Sequence, residues 1–331
     1  ISYATSTDGI NWQLGSADIV ARGAWNRYGV GAPTVIKTSP TSYEMWYTGA
    51  DLNLTAVKAV IDDLALLSTD NISILLQDVV NLKVVDFFIH FIAAYGTSYF
   101  PTLISHVINV LSGVNLAIGR ATSTDGINWT PEANPVLTKG SGSAWDRYGV
   151  GGASVLKTPS GYEMWYTGFG ADSISALLAL LGATNVTQVE TALMNVTKGA
   201  IGRATSTNGT GWTKDANPVL AEGTNVWDKY GVGAPCVLKV DNTYHMWYAG
   251  SGIVLNALLG FIRRTSTIET AVVNGIQSAI GYATSTDGRN WTRDAINPVL
   301  TKGVGVNVWD KYGVDFPCVV STNKTLEMWY T

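Results

Sequence analysis

The sequence predicts an all-β propeller with four visible four-stranded blades, the terminal strands closing one of them and α-helical hairpins inserted on one face. Three observations predict it. The stretch AWNRYGVGAPTVIKTSPTSYEMWYTG at 24–49 returns at 144–168, 226–250 and 308–331. A second stretch, ISYATSTDGINW at 1–12, returns in step at 117–129, 200–212 and 279–291. All 12 tryptophans fall three to a repeat. Self-similarity at a fixed period sets the architecture, because a unit that cannot bury its apolar face alone must stack on its neighbours.

Each unit reads as four short strands. ISYATS is short and rich in β-formers, TDG supplies turn residues, and INW resumes an extended run. The NPVL segments at 134–137, 217–220 and 297–300 lead through a Gly-containing loop into W-D/N-x-Y-G-V. PTVIK and YEMWYTG then form a second strand pair. Tandem four-stranded units are propeller blades. The chain opens on the third and fourth strands of a unit and stops after the first two, so 315–331 and 1–13 are expected to complete one blade as a single domain over 1–331. A linear array would leave unpaired sheet edges.

Between the second and third strands lie insertions of a different character, at 50–116, 171–198 and 251–278. Val57, Val60, Ile61, Leu64 and Leu67 recur at helical spacing. From Phe87 to Gly119 there is no Asp, Glu, Lys or Arg. Each apolar run is shorter than the roughly 20 residues of a membrane span or is broken by polar residues, so the expectation is helices packed on the ring or on a partner. In a blade of antiparallel strands, the second-to-third connection and the link to the next blade emerge together. The insertions and the W-D-x-Y-G-V segments therefore share one face, and the TDG turns take the other.

Composition excludes some functions. Charged residues make up 14% of the chain and the net charge is −4, with no Lys/Arg cluster, which argues against nucleic-acid binding. His90 and His106 lack acidic or Cys neighbours at ligand spacing, so no metal and no cofactor are expected. Cys236 and Cys318 hold the same place in adjacent repeats and read as small packed side chains, a disulfide between them being open and not required. Asn53, Asn71, Asn128, Asn185, Asn195, Asn208, Asn290 and Asn323 each begin an N-x-S/T sequon. That excess over chance favours an extracellular or cell-surface setting with N-glycosylation.

The motifs IGYATSTDGxNWT, NPVL, W-D-x-Y-G-V-x-x-P and Y-x-MWYTG resemble the repeats of glycosidase-like β-propellers, the five-bladed superfamily of arabinanases, β-xylosidases and invertases. STDGxNW is also similar to a shortened Asp-box turn. The resemblance covers the repeats and not the insertions. It implies two carboxylates at the starts of innermost strands, flanking one glycosidic bond. The matching positions here are Gly31, Gly151, Gly233 and Asp315. Asp315, in GVDFP, is thus the catalytic candidate, and no acid partner matches.

Other residues have structural readings. Asp146, Asp228 and Asp310, with Asn26 in the first copy, follow a Trp in every repeat and are expected to hold a loop. Asp8, Asp125, Asp287 and Asn208 suit turn positions by binding local amides. Glu44, Glu163, Glu327 and the odd His245 precede MWY and are expected to face outward or bridge blades. Trp25, Tyr28, Trp145, Tyr148, Trp227, Tyr230, Trp309 and Tyr312 are candidates for stacking on sugar rings, beside the alternative that they are core.

The leading expectation is a non-catalytic secreted or surface propeller for assembly, adhesion or glycan recognition, self-associating or binding a partner through the apolar insertions. The alternatives are a glycoside hydrolase using Asp315 and a membrane-peripheral module docking through 87–111.

Overall fold

The computed structural model describes residues 1–15, 18–52, 55, 58, 114–170, 188, 198–252, 254, 268–305, 308–322 and 325–331. Within them the chain is almost wholly β. The first full blade is β3 (Gly29–Ser39), β4 (Ser42–Leu52), β5 (Val114–Ser123) and β6 (Thr130–Pro131), antiparallel in that order. The second is β7 (Gly149–Thr158), β8 (Gly161–Phe169), β9 (Gly199–Ser206) and β10 (Thr213–Lys214). The third is β11 (Gly231–Val240), β12 (Thr243–Ser251), β13 (Ala279–Ser285) and β14 (Thr292–Arg293), with β15 (Leu300–Thr301) also on β13. Single parallel pairings, Leu116 with Gly149 and Gly199 with Gly231, join successive blades.

Both faces of the middle strands are buried because each blade is covered by a neighbour on either side. Met164, Trp165 and Tyr166 of β8 are all inaccessible. A tryptophan bolts each blade to the next. Trp46 Nε1 donates to Gly209 O at 3.0 Å, and Trp165 Nε1 donates to Gly288 O at 2.9 Å. The acceptors are the glycines of the TDG or TNG turns, which hold φ near +79° and +70°.

Those turns form as their residue types dictate. Asp125 Oδ1 accepts the amide protons of Ile127 and Asn128 at 2.8 and 2.7 Å, and Trp129 Nε1 closes back onto Gly126 O at 3.0 Å. Asn208 Oδ1 accepts from Thr210 and Gly211 at 3.0 and 2.9 Å, so the carboxamide replaces the carboxylate.

The expected closure of a fourth blade does not form. β1 (Ala4–Thr5) pairs with β2 (Gln13–Leu14), β16 (Cys318–Thr322) pairs with β17 (Thr325–Trp329), and the two remain separate two-stranded sheets. Packing gives the reason. A Cβ on Gly9 would lie 4.0 Å from the Trp329 ring, just as Gly209 and Gly288 lie against the Trp of the preceding blade. The N-terminal pair thus occupies the next blade position and not the open edge of β17. Its Val20 packs on Met45 and Tyr47 of the first blade, while Val314 and Val319 pack on Trp247 and Ile280 of the third.

The expected helical insertions lie almost entirely outside the described residues. Among them, α1 (Ile268–Gly275) is helical. The sheet ladder continues through Leu52 and Val114, so the first insertion starts later and ends earlier than 50–116. The apolar run at 87–111 lies outside the described residues. No described helix is long and apolar enough to cross a membrane.

Candidate functional site

The innermost strands build the site. In each, one residue pairs with the end of the second strand, and the ladder then slips. Gly31 pairs with Thr48, Gly151 with Thr167 and Gly233 with Ala249, and a bulge follows each. Asp315 and Thr331 exchange both backbone bonds, at 2.7 and 2.9 Å, in the same register. The residue after each paired position has positive φ: Ala32 at 46°, Gly152 at 54°, Ala234 at 45° and Phe316 at 48°. A bulky residue in the left-handed region costs on the order of 1 kcal/mol or more. Bulges re-aim the side chains beside them.

These four positions meet around the axis in a cavity of about 580 Å³. Its wall is mostly backbone and small side chains, including Gly31, Gly151, Gly233 and Val232, with Tyr230 and Asp315 as polar groups. It lies at the end of the blades where β4, β8 and β12 finish, the end from which the insertions leave.

Two of the four bulge amides are capped from the preceding blade. Gly152 N donates to Thr48 Oγ1 at 2.9 Å, and Ala234 N donates to Thr167 Oγ1 at 2.8 Å. The repeat breaks at the next step. Ala249 stands where a threonine would be, and Phe316 N donates instead to Asp315 Oδ1 at 2.7 Å. The substitution also makes room. A Cβ on Gly151 or Gly233 would come within 2.8 or 2.7 Å of the facing threonine methyl. Burial pushes the Asp315 carboxyl above its ordinary pKa, partly offset by the Phe316 amide. A carboxyl biased toward its protonated form in an apolar cavity can donate to a hydroxyl or ether oxygen as well as accept. No other carboxylate lines the cavity among the described residues.

The aromatic candidates are distributed differently. Trp25, Trp145 and Trp227 stack on Tyr47, Tyr166 and Tyr248 with centroids 5.8–5.9 Å apart. Each also lies against a strand glycine: a Cβ on Gly49, Gly168 or Gly250 would fall 2.2–2.3 Å from the ring. Trp309 stacks on Tyr330 at 5.2 Å and is 68% exposed. Tyr28, Tyr148 and Tyr312 sit beneath the cations of Arg27, Arg147 and Lys311, and Tyr230 is buried at the cavity. Of the sequon residues, Asn128 and Asn290 donate to Asp125 and Asp287 at 2.7 Å. Asn53, Asn71, Asn185, Asn195 and Asn323 lie outside the described residues.

The residues preceding MWY bridge blades. Tyr162 OH donates to Glu44 at 2.9 Å and Tyr244 OH to Glu163 at 2.8 Å, each carboxylate also pairing with Arg120 or Arg203 of its own blade. Where the next blade offers Leu326 in place of that tyrosine, the Glu–Arg pair becomes His245–Tyr282, 2.6 Å apart. His245 is thereby explained by its partners. Among the described residues no three metal-ligating side chains converge.

No protein-family model matches the chain, and no curated protein does. Solved structures do match. One, described as a complex of BT0996 and RGII, aligns over 99% of this chain and 72% of its own with a TM-score of 0.57 at 14% identity. Another, a glycoside hydrolase, aligns over 99% and 72% with a TM-score of 0.55 at 13% identity. The fold is that of the glycosidase-type β-propellers. At these identities the likeness carries the fold alone. The Thr-to-Ala change at Ala249 and the left-handed residues at the bulges are what sequence reasoning missed. The one signal available was that position 249 departs from Thr48 and Thr167 in the repeat preceding the repeat in which position 315 departs from glycine.

Proposed function

We propose that this chain is a carbohydrate-active propeller of the glycoside hydrolase type, with its sugar site in the axial cavity and Asp315 as the group that meets the glycosidic oxygen. The observation that carries this reading is the break in the repeat at Asp315: of the four equivalent axial positions it bears the carboxyl, and burial favours that carboxyl's protonated form. A protonated carboxyl in an apolar site is what a general acid requires. Fold likeness to a glycoside hydrolase and to a protein solved with RGII supports a saccharide ligand. The test is product release from a panel of aryl glycosides and plant and microbial oligosaccharides. Asp315→Asn is expected to abolish turnover while preserving the fold, and unchanged turnover removes Asp315 from the mechanism.

One observation favours a second reading, a non-catalytic glycan-binding propeller serving adhesion or assembly. Hydrolysis needs a pair of carboxylates, and Asp315 has no carboxylate partner among the described cavity residues. Saturable sugar binding by calorimetry with no product from any bound sugar would favour it. The sequons support a secreted or surface setting in either case, tested by the mass lost on enzymatic deglycosylation of native material.

A further inference from the structure

At the other end of the axis from Asp315, the innermost strands close around a smaller cavity of about 230 Å³, lined by Pro33, Pro235, Pro317, Cys236 and Cys318. The position held by the cysteines leans from one innermost strand onto the next. Ser154 Oγ accepts the Val237 amide proton from the following blade at 2.9 Å. Cys236 occupies the same place one blade on, and its Sγ accepts the Val319 amide proton at 3.1 Å. That delivers the sulfur to the backbone beside Cys318, and the two thiols hydrogen-bond to one another. Neither is in a disulfide, and Cys318 is exposed. Of the repeats, these two successive ones alone carry sulfur here, Thr34 and Ser154 standing at the other equivalents.

We propose that Cys236 and Cys318 form a dithiol–disulfide pair that reacts with low-molecular-weight disulfides and, when oxidised, ties the β16–β17 pair to β11. A disulfide requires two cysteines whose side chains already converge, and the Cys236 lean supplies that. The roles follow from the environment. The hydrogen bond from Cys236 holds the Cys318 thiol below its ordinary pKa, while the same bond and burial push Cys236 up. Cys318 is therefore the attacking thiolate, because the thiolate and not the thiol is nucleophilic.

The exchange balances with a small disulfide as oxidant. Cys318 Sγ attacks one sulfur of oxidised glutathione, its S–S bond breaks, and one glutathione leaves as a thiolate that takes up a proton. Cys236 then gives its proton to solvent and attacks the Cys318 sulfur, expelling the second glutathione. Two protein thiols are oxidised and one small disulfide is reduced to two thiols.

The experiment is to incubate the full chain with oxidised glutathione, quench with acid and measure intact mass and a non-reducing peptide map. The expected product has lost two hydrogens and carries a Cys236–Cys318 peptide cross-link. Cys236→Ser should instead stop at a stable glutathione adduct on Cys318, and Cys318→Ser should react far more slowly. The oxidised unaltered chain should melt several degrees higher than the reduced chain, a gain absent in both variants. A lasting glutathione adduct on the unaltered chain, a cross-link only between chains, or no reaction would each overturn the proposal.

Discussion

Thr167 and Gly233 fit together as a pair across two blades. The threonine hydroxyl accepts the Ala234 amide proton at 2.8 Å, and its methyl leaves no room for a Cβ on Gly233. Thr48 and Gly151 repeat the arrangement one blade earlier. Ala249 breaks it, and Asp315 takes both the vacated space and the amide-capping role. The axial carboxylate is therefore one half of a two-residue exchange.

That coupling predicts a double-mutant cycle. Ala249→Thr alone should crowd Asp315 and destabilise the fold by about 1–3 kcal/mol, as overpacking does. Asp315→Gly added to it rebuilds the Thr–Gly pair and should recover most of the loss. Urea melts of the four proteins check this, and additive effects would refute the coupling.

Asp315 also predicts a pH dependence. Its folded pKa is raised by burial. The folded chain then keeps a proton that the unfolded chain releases, so stability falls as pH rises through the window from the ordinary carboxylate pKa of about 4 up to the folded value. Above that window the penalty is constant. Asp315→Asn should melt higher than the unaltered chain at neutral pH and alike near about pH 3. An equal difference at both pH values would contradict the assignment.

The turns predict the opposite sign. Hydrogen bonds from the Asn128 amide and side chain, then from Ile127 and Ser123, hold Asp125 well below the usual carboxylate range. Its contribution is present above the unfolded pKa and is lost as pH falls toward the folded one. Because Asn208 makes the same amide contacts without charge, Asp125→Asn should cost little at neutral pH and flatten the acid limb of the melting curve. Asp125→Ala should destabilise at neutral pH, since it leaves the turn amides uncapped.

Blade-to-blade bolts should be costly to remove. Trp165→Phe deletes the hydrogen bond to Gly288 O and part of a fully buried ring. A loss of about 2–4 kcal/mol is expected from the orphaned carbonyl and the cavity together. Thermal melts measure it, and a change within experimental error would mean that the second and third blades are held by other contacts.

Much of the fold was legible because periodicity is a one-dimensional property. Each tryptophan, each TDG turn and each strand pair recurs at the same offset, and a residue that recurs in every repeat must do the same local work. The loop-holding role of Asp146 is an example. Gly140 N donates to its Oδ1 at 3.1 Å, as the Trp-Asp pattern implied. The equivalence of Gly31, Gly151, Gly233 and Asp315 was legible for the same reason, and the shared register bears it out.

What the sequence determined by itself was the repeating unit, its strands and turns, and the one axial position where a carboxyl replaces glycine. The tertiary structure alone decided which repeat sits against which: that Ala249 of the preceding blade shares the cavity wall with Asp315, that Cys236 reaches Val319, and that Gly9 meets Trp329 from the next blade position instead of completing the blade of β17. The physical reason is that near-identical repeats offer near-identical local edges. Local propensity then cannot choose between pairing partners, and the choice falls to packing of tryptophan, glycine and bulge across blades far apart in the chain.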